Sequence, residues 1–520
     1  MIYSSTLKKT FTIYTFLAVL SSIFFLFASA SAATYYIDYD TGADTNIGTK
    51  ESPWKTAPGM ANEGGTRNMT GPTVHVHAAG DIFYLKGGVV WPKVCFKWEI
   101  KYSGEDGTLD LYSSDETWYT GGSWTRPILD GEETLKTVDF IHSYLDSYFI
   151  IEKLRIIDIG ADDVDEENSY GKCVNIDGGN DVTVRYCEMK PYGRHGIVYT
   201  GRAASTGKLY FHDNDFSALS NCVEIGCTVA GVILSDIQIY NNLIHDNEPM
   251  LDFGDHGDGI HLFGKAYPND YSFTNVKIHN NRYYGDMRSN YGDGTAYQGY
   301  VFFGGGGNGV EIYNNVFGFD NTTNYDKTWP LIMNGAICLY NSKDFKIYNN
   351  TFSSDAMYGG MTGMRIGIMS INAYELDIKN NIFSKCTYAM MLEANSLWIA
   401  STAYNVGNIK TPTNANATGY VYEVTSSGTT DSTEPSWPTT PGNSVVDGTV
   451  TWTCRTFVTS DSNSFDIRSG GYLGWIGAKR YSTLAEWQDD ERYSQDAYST
   501  TSVYAISRVV GLQIKDFTLQ

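Results

Sequence analysis

Ile312-Tyr313-Asn314-Asn315 is one copy of a four-residue phrase that returns along the middle of the chain. The other copies are Ile239-Tyr240-Asn241-Asn242, Ile278-His279-Asn280-Asn281, Ile347-Tyr348-Asn349-Asn350 and Ile378-Lys379-Asn380-Asn381. The first Asn of the phrase recurs at spacings of 39, 34, 35 and 31 residues. Repetition at this period is typical of a solenoid, in which each repeat forms one coil and buries its apolar face only against neighbouring coils. Each copy is a short alternating segment that ends at a polar pair, so the predicted coils are β rather than α.

Each repeat also contains a second apolar segment ahead of the phrase. These segments are Gly196-Ile197-Val198-Tyr199, Cys222-Val223-Glu224-Ile225, Gly259-Ile260-His261-Leu262-Phe263 and Gly299-Tyr300-Val301-Phe302-Phe303. In most copies an apolar residue follows two positions after the second Asn, at Ile244, Phe317, Phe352 and Phe383. Two or three short strands per period, with turns between them, predict a parallel β-helix.

These motifs carry a family resemblance. The pattern Gly-Ile-x-Leu followed by Ile-x-Asn-Asn-x-Phe resembles the repeat of the right-handed parallel β-helix, pectate-lyase-like superfamily. Asp44-x-Asn46-x-Gly48 and Pro53-Trp54-Lys55-Thr56 are similar to the N-terminal cap of its secreted bacterial members. The resemblance covers roughly residues 34–400 and implies an all-β fold whose Asn side chains stack at a bend and satisfy its backbone groups. Because the superfamily contains lyases, hydrolases, epimerases and non-enzymatic adhesive proteins, the resemblance leaves the reaction open.

The first 32 residues have the pattern of a secretory signal peptide. Lys8 and Lys9 precede an apolar run that ends near Phe27, and Ala28-Ser29-Ala30-Ser31-Ala32 follows with small residues at an A-x-A cleavage site. The run is short for a membrane span, although an uncleaved N-terminal anchor is the alternative. We therefore expect a secreted protein, extracellular or periplasmic, with no membrane association after cleavage.

Changes in composition predict the domain organisation. Residues 415–457 are rich in Thr, Ser and Pro, and Thr483 with Glu486 forms a helix capping box further on. The predicted parts are a signal peptide (1–32), an N-terminal cap with the first strands (33–130), the right-handed parallel β-helix (131–414), a small inserted β module (415–457) and a C-terminal segment with a short helix (458–520).

Charge and cysteines limit the partners. The formal net charge of −22 opposes nucleic acid and anionic membranes, but a local basic groove could still bind an acidic polysaccharide. We expect a monomer whose partner is a polysaccharide substrate. Among the eight cysteines, Cys173 with Cys187 or Cys222 with Cys227 could form local disulfides in an exported protein. Buried free thiols inside the coils are the alternative.

The repeats also predict which side chains meet on the outer surface. Side chains alternate inward and outward along a strand, and equivalent residues of successive coils lie about 4.8 Å apart. Alignment of the second segments places four residues inside: Ile197, Val223, Ile260 and Tyr300. It places four outside: Val198, Glu224, His261 and Val301. The residues that enter these strands are His195, Asn221, Asp258 and Gln298. Neighbouring coils therefore bring together His195, Glu224, Asp258 and His261.

The segment Asp252–His261 is the densest concentration of titratable groups, with three Asp and two of the nine His residues. We predict that His256 or His261 is the catalytic acid or base and that Asp255 and Asp258 are orienting or catalytic carboxylates, with Glu224 and His195 beside them. A carboxylate can orient and charge a histidine for acid–base work. Alternatively, two carboxylates can divide the roles needed for glycoside hydrolysis. Asp258 alone also fits a structural role, because a polar residue before Gly-Ile belongs to the ordinary repeat.

Substrate-binding candidates surround this segment. Arg194, next to His195, is predicted to bind the substrate charge, and Lys265 and Gln298 are further polar candidates. The repeats are longer than a minimal coil needs, so loops are expected near 245–258, 283–299 and 318–334, where Tyr283 and Tyr284 could stack on sugar rings. No cofactor is assigned; Ca²⁺ is the candidate metal through the acidic run 162–167, whose spacing also fits a solvated turn.

These observations predict an exported polysaccharide-active enzyme with its site on the outer face of the β-helix. A lyase acting on an extended glycan that contains uronic acid is the first hypothesis, and a glycoside hydrolase or an epimerase comes next. The alternative is a non-catalytic surface protein that binds glycans or mediates adhesion. The polygalacturonase-like motif set is absent, and Asp255-His256-Gly257-Asp258 lacks the Pro of the Asp-Pro-His epimerase motif.

Overall fold

The computed structural model describes residues 31–61, 75–133, 139–158, 171–190, 193–246, 257–265, 271–284, 299–318, 335–353, 357–358, 361–362, 366–393, 396–467, 469–476, 479–490, 499 and 501. For residues 193–194, 357–358 and 361–362 the description covers the backbone alone. The predicted signal peptide lies outside these ranges except for Ser31 and Ala32, and so does the acidic run 162–167.

Three long sheets of parallel strands, named S1, S2 and S3, form the body of the protein. In the part of the chain that the structure describes, the twelve strands of S1 are, in spatial order, β1 (Thr34–Ile37), β2 (Ile82–Leu85), β5 (Asp110–Ser113), β8 (Phe149–Glu152), β11 (Val182–Arg185), β14 (Gly207–His212), β17 (Leu234–Tyr240), β20 (Phe273–His279), β23 (Gly307–Tyr313), β26 (Lys343–Tyr348), β31 (Tyr374–Lys379) and β40 (Val458–Asp461). The eleven described strands of S2 are β3 (Val90–Trp91), β6 (Ile128–Asp130), β9 (Arg155–Ile157), β12 (Glu188–Lys190), β15 (Asp215–Ser217), β18 (Leu243–His245), β21 (Arg282–Tyr284), β24 (Val316–Phe317), β27 (Thr351–Ser353), β32 (Ile382–Ser384) and β41 (Ser464–Asp466).

The sheet S3 carries the candidate site. Its twelve described strands are β4 (Trp98–Ile100), β7 (Ile141–Tyr144), β10 (Lys172–Asp177), β13 (Gly193–Thr200), β16 (Leu219–Cys227), β19 (Asp258–Gly264), β22 (Gly299–Phe303), β25 (Gly335–Tyr340), β30 (Ile366–Ile371), β33 (Tyr388–Glu393), β42 (Tyr472–Ile476) and β43 (Lys479–Tyr481). The last strand, β43, is antiparallel to β42. The chain visits S1, S2 and S3 in turn, so each strand pairs with its counterpart one coil away. This arrangement confirms the predicted parallel β-helix.

The two Asn residues of each phrase have different roles. The first adopts the left-handed backbone conformation, with φ of 56° at Asn241 and 58° at Asn280, a region that Asn tolerates better than most other residues. The second is buried in the turn between S1 and S2. Asn242 Nδ2 donates to Asn281 Oδ1 at 3.0 Å and to the Phe211 carbonyl at 2.9 Å. The amide of the second Asn thus satisfies the backbone that the turn leaves unpaired.

This Asn ladder is longer than the strict phrase. Its members are Asn214, Asn242, Asn281, Asn315, Asn350, Asn381 and Asn463. The last two members are 82 positions apart in the sequence, and the inserted module lies between them. The chain therefore leaves the helix, forms the module and returns to complete one more coil through β40, β41 and β42.

The interior of the coils is a column of apolar side chains in register. Side chains alternate between inward and outward along each S2 strand, which follows the buried second Asn. The residue two positions after that Asn therefore points inward, as the Asn does. Tyr283, Phe317, Phe352, Phe383 and Phe465 stack there, with ring centroids 4.8–5.4 Å apart. This spacing equals that of the strands, so each coil covers the apolar face of the one before it.

The module is a four-stranded antiparallel sheet with its own core. Its strands, in spatial order, are β35 (Ile409–Lys410), β36 (Tyr420–Ser426), β39 (Val450–Thr456) and β38 (Ser444–Asp447). Trp398, Tyr422 and Trp452 are buried together inside it. Two short antiparallel pairs are β34 (Ala403–Tyr404) with β37 (Gly428–Thr429), and β28 (Met357–Tyr358) with β29 (Met361–Thr362). The first strand of this sheet, β35, lies before residue 415, the position at which the composition changes.

Short helical segments and a cap complete the fold. Helix α1 (Leu484–Gln488) starts at Thr483, whose side chain forms the predicted capping box with Glu486. Two single 3₁₀ turns cover Lys93–Cys95 and Asn414–Asn416. In the N-terminal cap, Asp44 Oδ1 accepts hydrogen bonds from the backbone of Lys55 and Thr56 at 3.1 and 2.9 Å.

All eight cysteines are free thiols and all are buried. The two predicted local disulfides are therefore not formed, and the alternative of thiols that fill the interior applies. Burial raises the pKa of the Cys187 thiol to about 12, which keeps it protonated and unreactive at neutral pH.

Candidate functional site

Three neighbouring strands of S3 bring the predicted catalytic candidates together. His195 on β13 pairs with Asn221 on β16, and Asn221 pairs with Asp258 on β19. Three residues further along, Glu224 pairs with His261. The predicted register of these three coils is confirmed, and the four ionisable side chains occupy one patch, which we call the S3 patch (His195, Glu224, Asp258 and His261).

A bend at the start of each strand explains how residues three apart reach the same side. Cys222 and Val223 are both fully buried, so two successive side chains point inward. Asn221 and Glu224 on either side of them then point the same way, and Asn221 Nδ2 donates to Glu224 Oε2 at 3.3 Å. In the next coil Gly259 and Ile260 take the two inward positions.

The same bend makes the predicted register wrong for the fourth coil. Ile260 pairs with Val301, not with Tyr300, and His261 pairs with Phe302, not with Val301. Asp258 pairs with Gly299, whereas the prediction aligned it with Gln298. The prediction aligned Gly259 with Gly299. In the structure the residue opposite Gly259 is Tyr300, and both point inward.

His261 and Asp258 form the first dyad of the patch. Asp258 is fully buried, and its Oδ2 lies 3.5 Å from His261 Nδ1. Its Oδ1 accepts the Gly299 backbone N–H at 3.0 Å, and its own N–H donates to Asn221 Oδ1 at 2.7 Å. The His261 side chain is 12% exposed. A carboxylate held rigidly by backbone groups behind a partly exposed imidazole fixes the orientation of the ring.

The other ring nitrogen of His261 lies beside Gly304, a residue without a side chain. A Cβ atom built on Gly304 would stand 3.5 Å from His261 Nε2. The His261 ring meets the Phe302 ring edge-on, with centroids 4.9 Å apart. The ring is thus packed on one side by an apolar neighbour and lies on another side beside a residue without a side chain.

Glu224 and His195 form the second dyad, with Glu224 Oε2 3.2 Å from His195 Nδ1. Burial by itself would raise the pKa of Glu224, but His195 and then the charges of His261 and Lys172 lower it to about 2. Glu224 is therefore ionised at neutral pH and lies between the two histidines. The patch contains an anion that stabilises positive charge on either ring.

The remaining predicted residues fall in different places. Asp255, His256 and Gln298 lie outside the described residues, and of Arg194 the structure describes the backbone in β13 but not the side chain. Lys265 follows the end of β19, and at about 3.3 Å per residue this puts it roughly 13 Å along the chain from His261. Its backbone N–H donates to Ser272 Oγ at 2.9 Å.

The two tyrosines predicted to stack on sugar rings do not face the S3 patch. Tyr283 is buried in the interior, 5.0 Å from Tyr300 and from Phe317, so its predicted role is wrong. It takes the inward position two residues after Asn281, which the repeat itself reserves for an apolar residue. Tyr284 points outward from S2, a different sheet, and stacks on His245 at 4.7 Å.

The structure also adds residues that the sequence patterns did not single out. Lys172 pairs with His195 one coil earlier and lowers the pKa of Glu224. Its position at the entrance of β10 is the signal that could have found it. On S2, His245 lies 2.9 Å from Asp215 and 2.8 Å from Asp246. Burial opposes the charge on this ring, but the two carboxylates raise its pKa to about 9.

Across the described ranges, no three His, Cys, Asp or Glu side chains are grouped closely enough to hold a metal ion. Within those ranges, no helix has the length and apolar character needed to cross a bilayer.

A family model described as the right handed beta helix region matches residues 258–427. The chain has the fold of a right-handed parallel β-helix. The matched residues run from Asp258 at the start of β19 into the inserted module, so they include the first dyad. No curated protein sequence matches the chain.

Several solved structures resemble this β-helix protein. A GH136 lacto-N-biosidase from Eubacterium ramulus is 11% identical over 86% of this chain and 65% of that chain, with a TM-score of 0.40. An alginate lyase from Paenibacillus sp. str. FPU-7 is 10% identical over 58% of this chain and 88% of that chain, with a TM-score of 0.37. A rhamnogalacturonan lyase is 15% identical over 70% of this chain and 82% of that chain, with a TM-score of 0.32. The chain spans slightly less than two thirds of the lacto-N-biosidase. At these identities the likeness concerns the fold alone.

Proposed function

We propose that this β-helix protein is an exported polysaccharide lyase in which His261 is the proton-transferring residue. The observation that carries the proposal is the His261–Asp258 dyad, a partly exposed ring backed by a fully buried carboxylate. Histidine is the side chain whose ordinary pKa lies near neutrality, so it can take and return a proton under physiological conditions. Asp258 keeps the proton on Nδ1 and leaves Nε2 as the base.

The elimination needs one base and a leaving sugar. In this step His261 Nε2 takes the proton from the carbon next to the uronate carboxylate. The C–H electron pair forms a carbon–carbon double bond, and the bond to the glycosidic oxygen breaks. The leaving oxygen then takes a proton from the protonated His261, which restores the neutral ring, and the product is an unsaturated uronate. The basic side chains that we propose to meet the substrate carboxylate are Lys172 and His195, which pair with each other on β10 and β13 of the same sheet.

Exposure and charge favour elimination over hydrolysis by the S3 patch. A glycosidase uses two carboxyl groups, one protonated to donate to the leaving oxygen. Asp258 is fully buried and cannot touch a sugar. Glu224, with its pKa near 2, is ionised at neutral pH and cannot act as the acid. The two histidines of the patch therefore remain as groups that can exchange a proton with a substrate, and His261 is the more exposed of them, at 12% against 9% for His195.

The test measures product chemistry with purified protein that starts at Ala33. Substrates are alginate, rhamnogalacturonan and neutral polysaccharides. Ultraviolet absorbance reports the unsaturated product, and reducing ends without that absorbance report hydrolysis. We expect unsaturated product on an acidic glycan, and a loss of about 10²–10⁴ in rate for His261→Gln. Asp258→Asn should lower kcat while substrate binding is kept.

His279→Gln is the matched control, because His279 is an outward histidine stacked between Tyr240 and Tyr313 on S1, at 5.0 and 4.7 Å. It should retain full activity. Hydrolysis without unsaturated product, or unchanged activity in folded His261→Gln, would contradict the lyase proposal. Binding to a glycan with no turnover of any substrate would instead support the non-catalytic alternative. Export is tested separately, by fusing residues 1–32 to a reporter and measuring its release from bacterial cells.

A further inference from the structure

The hydrogen bonds that join the described N-terminal cap begin at Ala33. The Ala33 carbonyl accepts the Ile82 N–H at 2.8 Å, which starts the pairing of β1 with β2. The Ala33 backbone nitrogen donates to Asp81 Oδ1, also at 2.8 Å. Ser31 and Ala32, in contrast, are exposed to solvent. Among the described residues, Ala33 is therefore the first whose backbone nitrogen is hydrogen-bonded, and it directly follows the A-x-A site.

Asp81 is a buried carboxylate whose described side-chain partner is a histidine. Its Oδ2 accepts the Ala78 N–H at 3.1 Å and lies 3.1 Å from His75 Nε2. Among the described residues, His75 is the side chain that forms an ion pair with Asp81. Burial lowers the pKa of His75 below its ordinary value, so the ring is neutral at pH 7. The neighbouring Asp110 adds a second buried carboxylate, which is 2.8 Å from His77.

We propose that the Ala32–Ala33 peptide bond is a processing site and that the new Ala33 α-ammonium forms an ion pair with buried Asp81. A peptidase that recognises small residues at Ala30 and Ala32 would hydrolyse this bond. The oxygen of water joins the Ala32 carbonyl carbon, the C–N bond breaks, and the Ala33 nitrogen becomes an ammonium group at neutral pH. The inference shares the leader peptide with the proposed function but uses no residue of the S3 patch.

Cleavage changes the charge but needs no rearrangement of the cap. Before cleavage, a neutral amide N–H meets Asp81 Oδ1; afterwards, a cation stands at the same atom. The charged donor adds a Coulomb attraction to this hydrogen bond, and such an attraction is stronger in a buried site than in water. A buried anion is also costly until an opposite charge is beside it. The mature chain should therefore hold β1 against β2 more firmly than the precursor does.

The experiment compares two chains that differ by one residue. One starts at Ala33 and the other at Ala32, each released from a tag by a protease that leaves no extra residue. Amide hydrogen exchange in β1 is then measured at pH 7. Each unit by which Asp81 raises the pKa of the new ammonium stabilises the closed cap about tenfold. Amide exchange in β1 of the Ala33 chain should therefore be about tenfold slower for each such unit. The difference should disappear in the Asp81→Asn background.

Acetylation of Ala33 is a second control, because it restores the amide and removes the charge without altering Asp81. It should return the exchange rate to that of the Ala32 chain. Equal exchange in all three chains would overturn the proposal, as would a secreted protein whose first residue is not Ala33. Neither result depends on lyase activity, so failure of the proposed function and failure of this inference are distinguishable.

The pH dependence has a defined sign. The ordinary pKa of an α-amino group is about 7.7–8.0, and Asp81 raises it in the folded state. The extra protection should be complete below that ordinary value and should be lost as pH rises through the higher folded pKa. The titratable groups that face this site are His75, His77 and Asp110, with Tyr35 and Tyr102 beside them. The Asp81→Asn chain contains all of these and serves as the reference.

Discussion

Removal of one amide from the Asn ladder should destabilise the β-helix far more than a change at its neighbour in the same phrase. Asn281 is fully buried, and its side chain makes four hydrogen bonds. Nδ2 donates to the Ile239 carbonyl at 2.9 Å and to Asn315 Oδ1 at 3.1 Å. Oδ1 accepts from the backbone N–H and the Nδ2 of Asn242, both at 3.0 Å. Asn281→Ala removes all four bonds and leaves buried partners unsatisfied.

The expected cost follows from those four bonds. A typical hydrogen bond contributes about 1 kcal/mol net, and a buried group left without a partner costs about 1–3 kcal/mol. We therefore expect Asn281→Ala to lower the free energy of unfolding by roughly 3–5 kcal/mol. The control is Asn280→Gly, because Asn280 is exposed and has a φ of 58°, which Gly adopts without strain. This change should stay within about 0.5 kcal/mol.

Urea unfolding of the mature protein measures both variants, and hydrogen exchange at the Asn242 amide reports the local effect. Exchange there should accelerate strongly in Asn281→Ala and little in Asn280→Gly. The reasoning is refuted if Asn281→Ala costs no more than Asn280→Gly, because the ladder would then contribute nothing beyond the turn conformation.

Three further predictions concern titration and thiols. The pKa of Glu224 is lowered from 4.5 to about 2, so this group contributes stability above pH 4.5 that is lost as the pH falls towards 2. The free energies of unfolding of wild type and Glu224→Gln should therefore converge over that pH range. His245 has its pKa raised from 6.5 to about 9 beside Asp215 and Asp246, so its contribution is complete below pH 6.5 and lost as pH rises through 9. An NMR titration of the ring that gives a value near 6.5 would contradict this. Thiol titration should find eight groups in denaturant and almost none in the native protein, and a deficit in denaturant would indicate a disulfide.

Much of the fold was predictable because a β-helix repeats one local pattern. The strict phrase identified the turn between S1 and S2, since Asn suits both the left-handed position and the buried amide position. Counting from the phrase also aligned Glu224 with His261, and Asn221 with Asp258. That register alone was enough to place the ionisable residues of the S3 patch on adjacent strands.

The errors arise where local pattern and packing disagree. A strict two-residue alternation cannot represent the bend that turns Tyr300 inward beside Val301, so the fourth coil was shifted by one position. Tyr283 was assigned to sugar binding because it is aromatic and close to a loop. In the structure it continues the stack through Phe317, since an interior column needs a large apolar ring in each coil.

The sequence by itself determined the repeat, the turn and the order of residues along each strand, because these depend on neighbours close in the chain. Only the tertiary structure decided which of the paired residues are buried, and hence that Asp258 supports His261 from inside. It also decided that Asn463 continues the ladder 82 residues after Asn381. Hydrogen bonds between coils join residues across such an insertion whatever their separation in the sequence. The regular spacing of the Asn-Asn phrase, in contrast, is lost where the insertion begins.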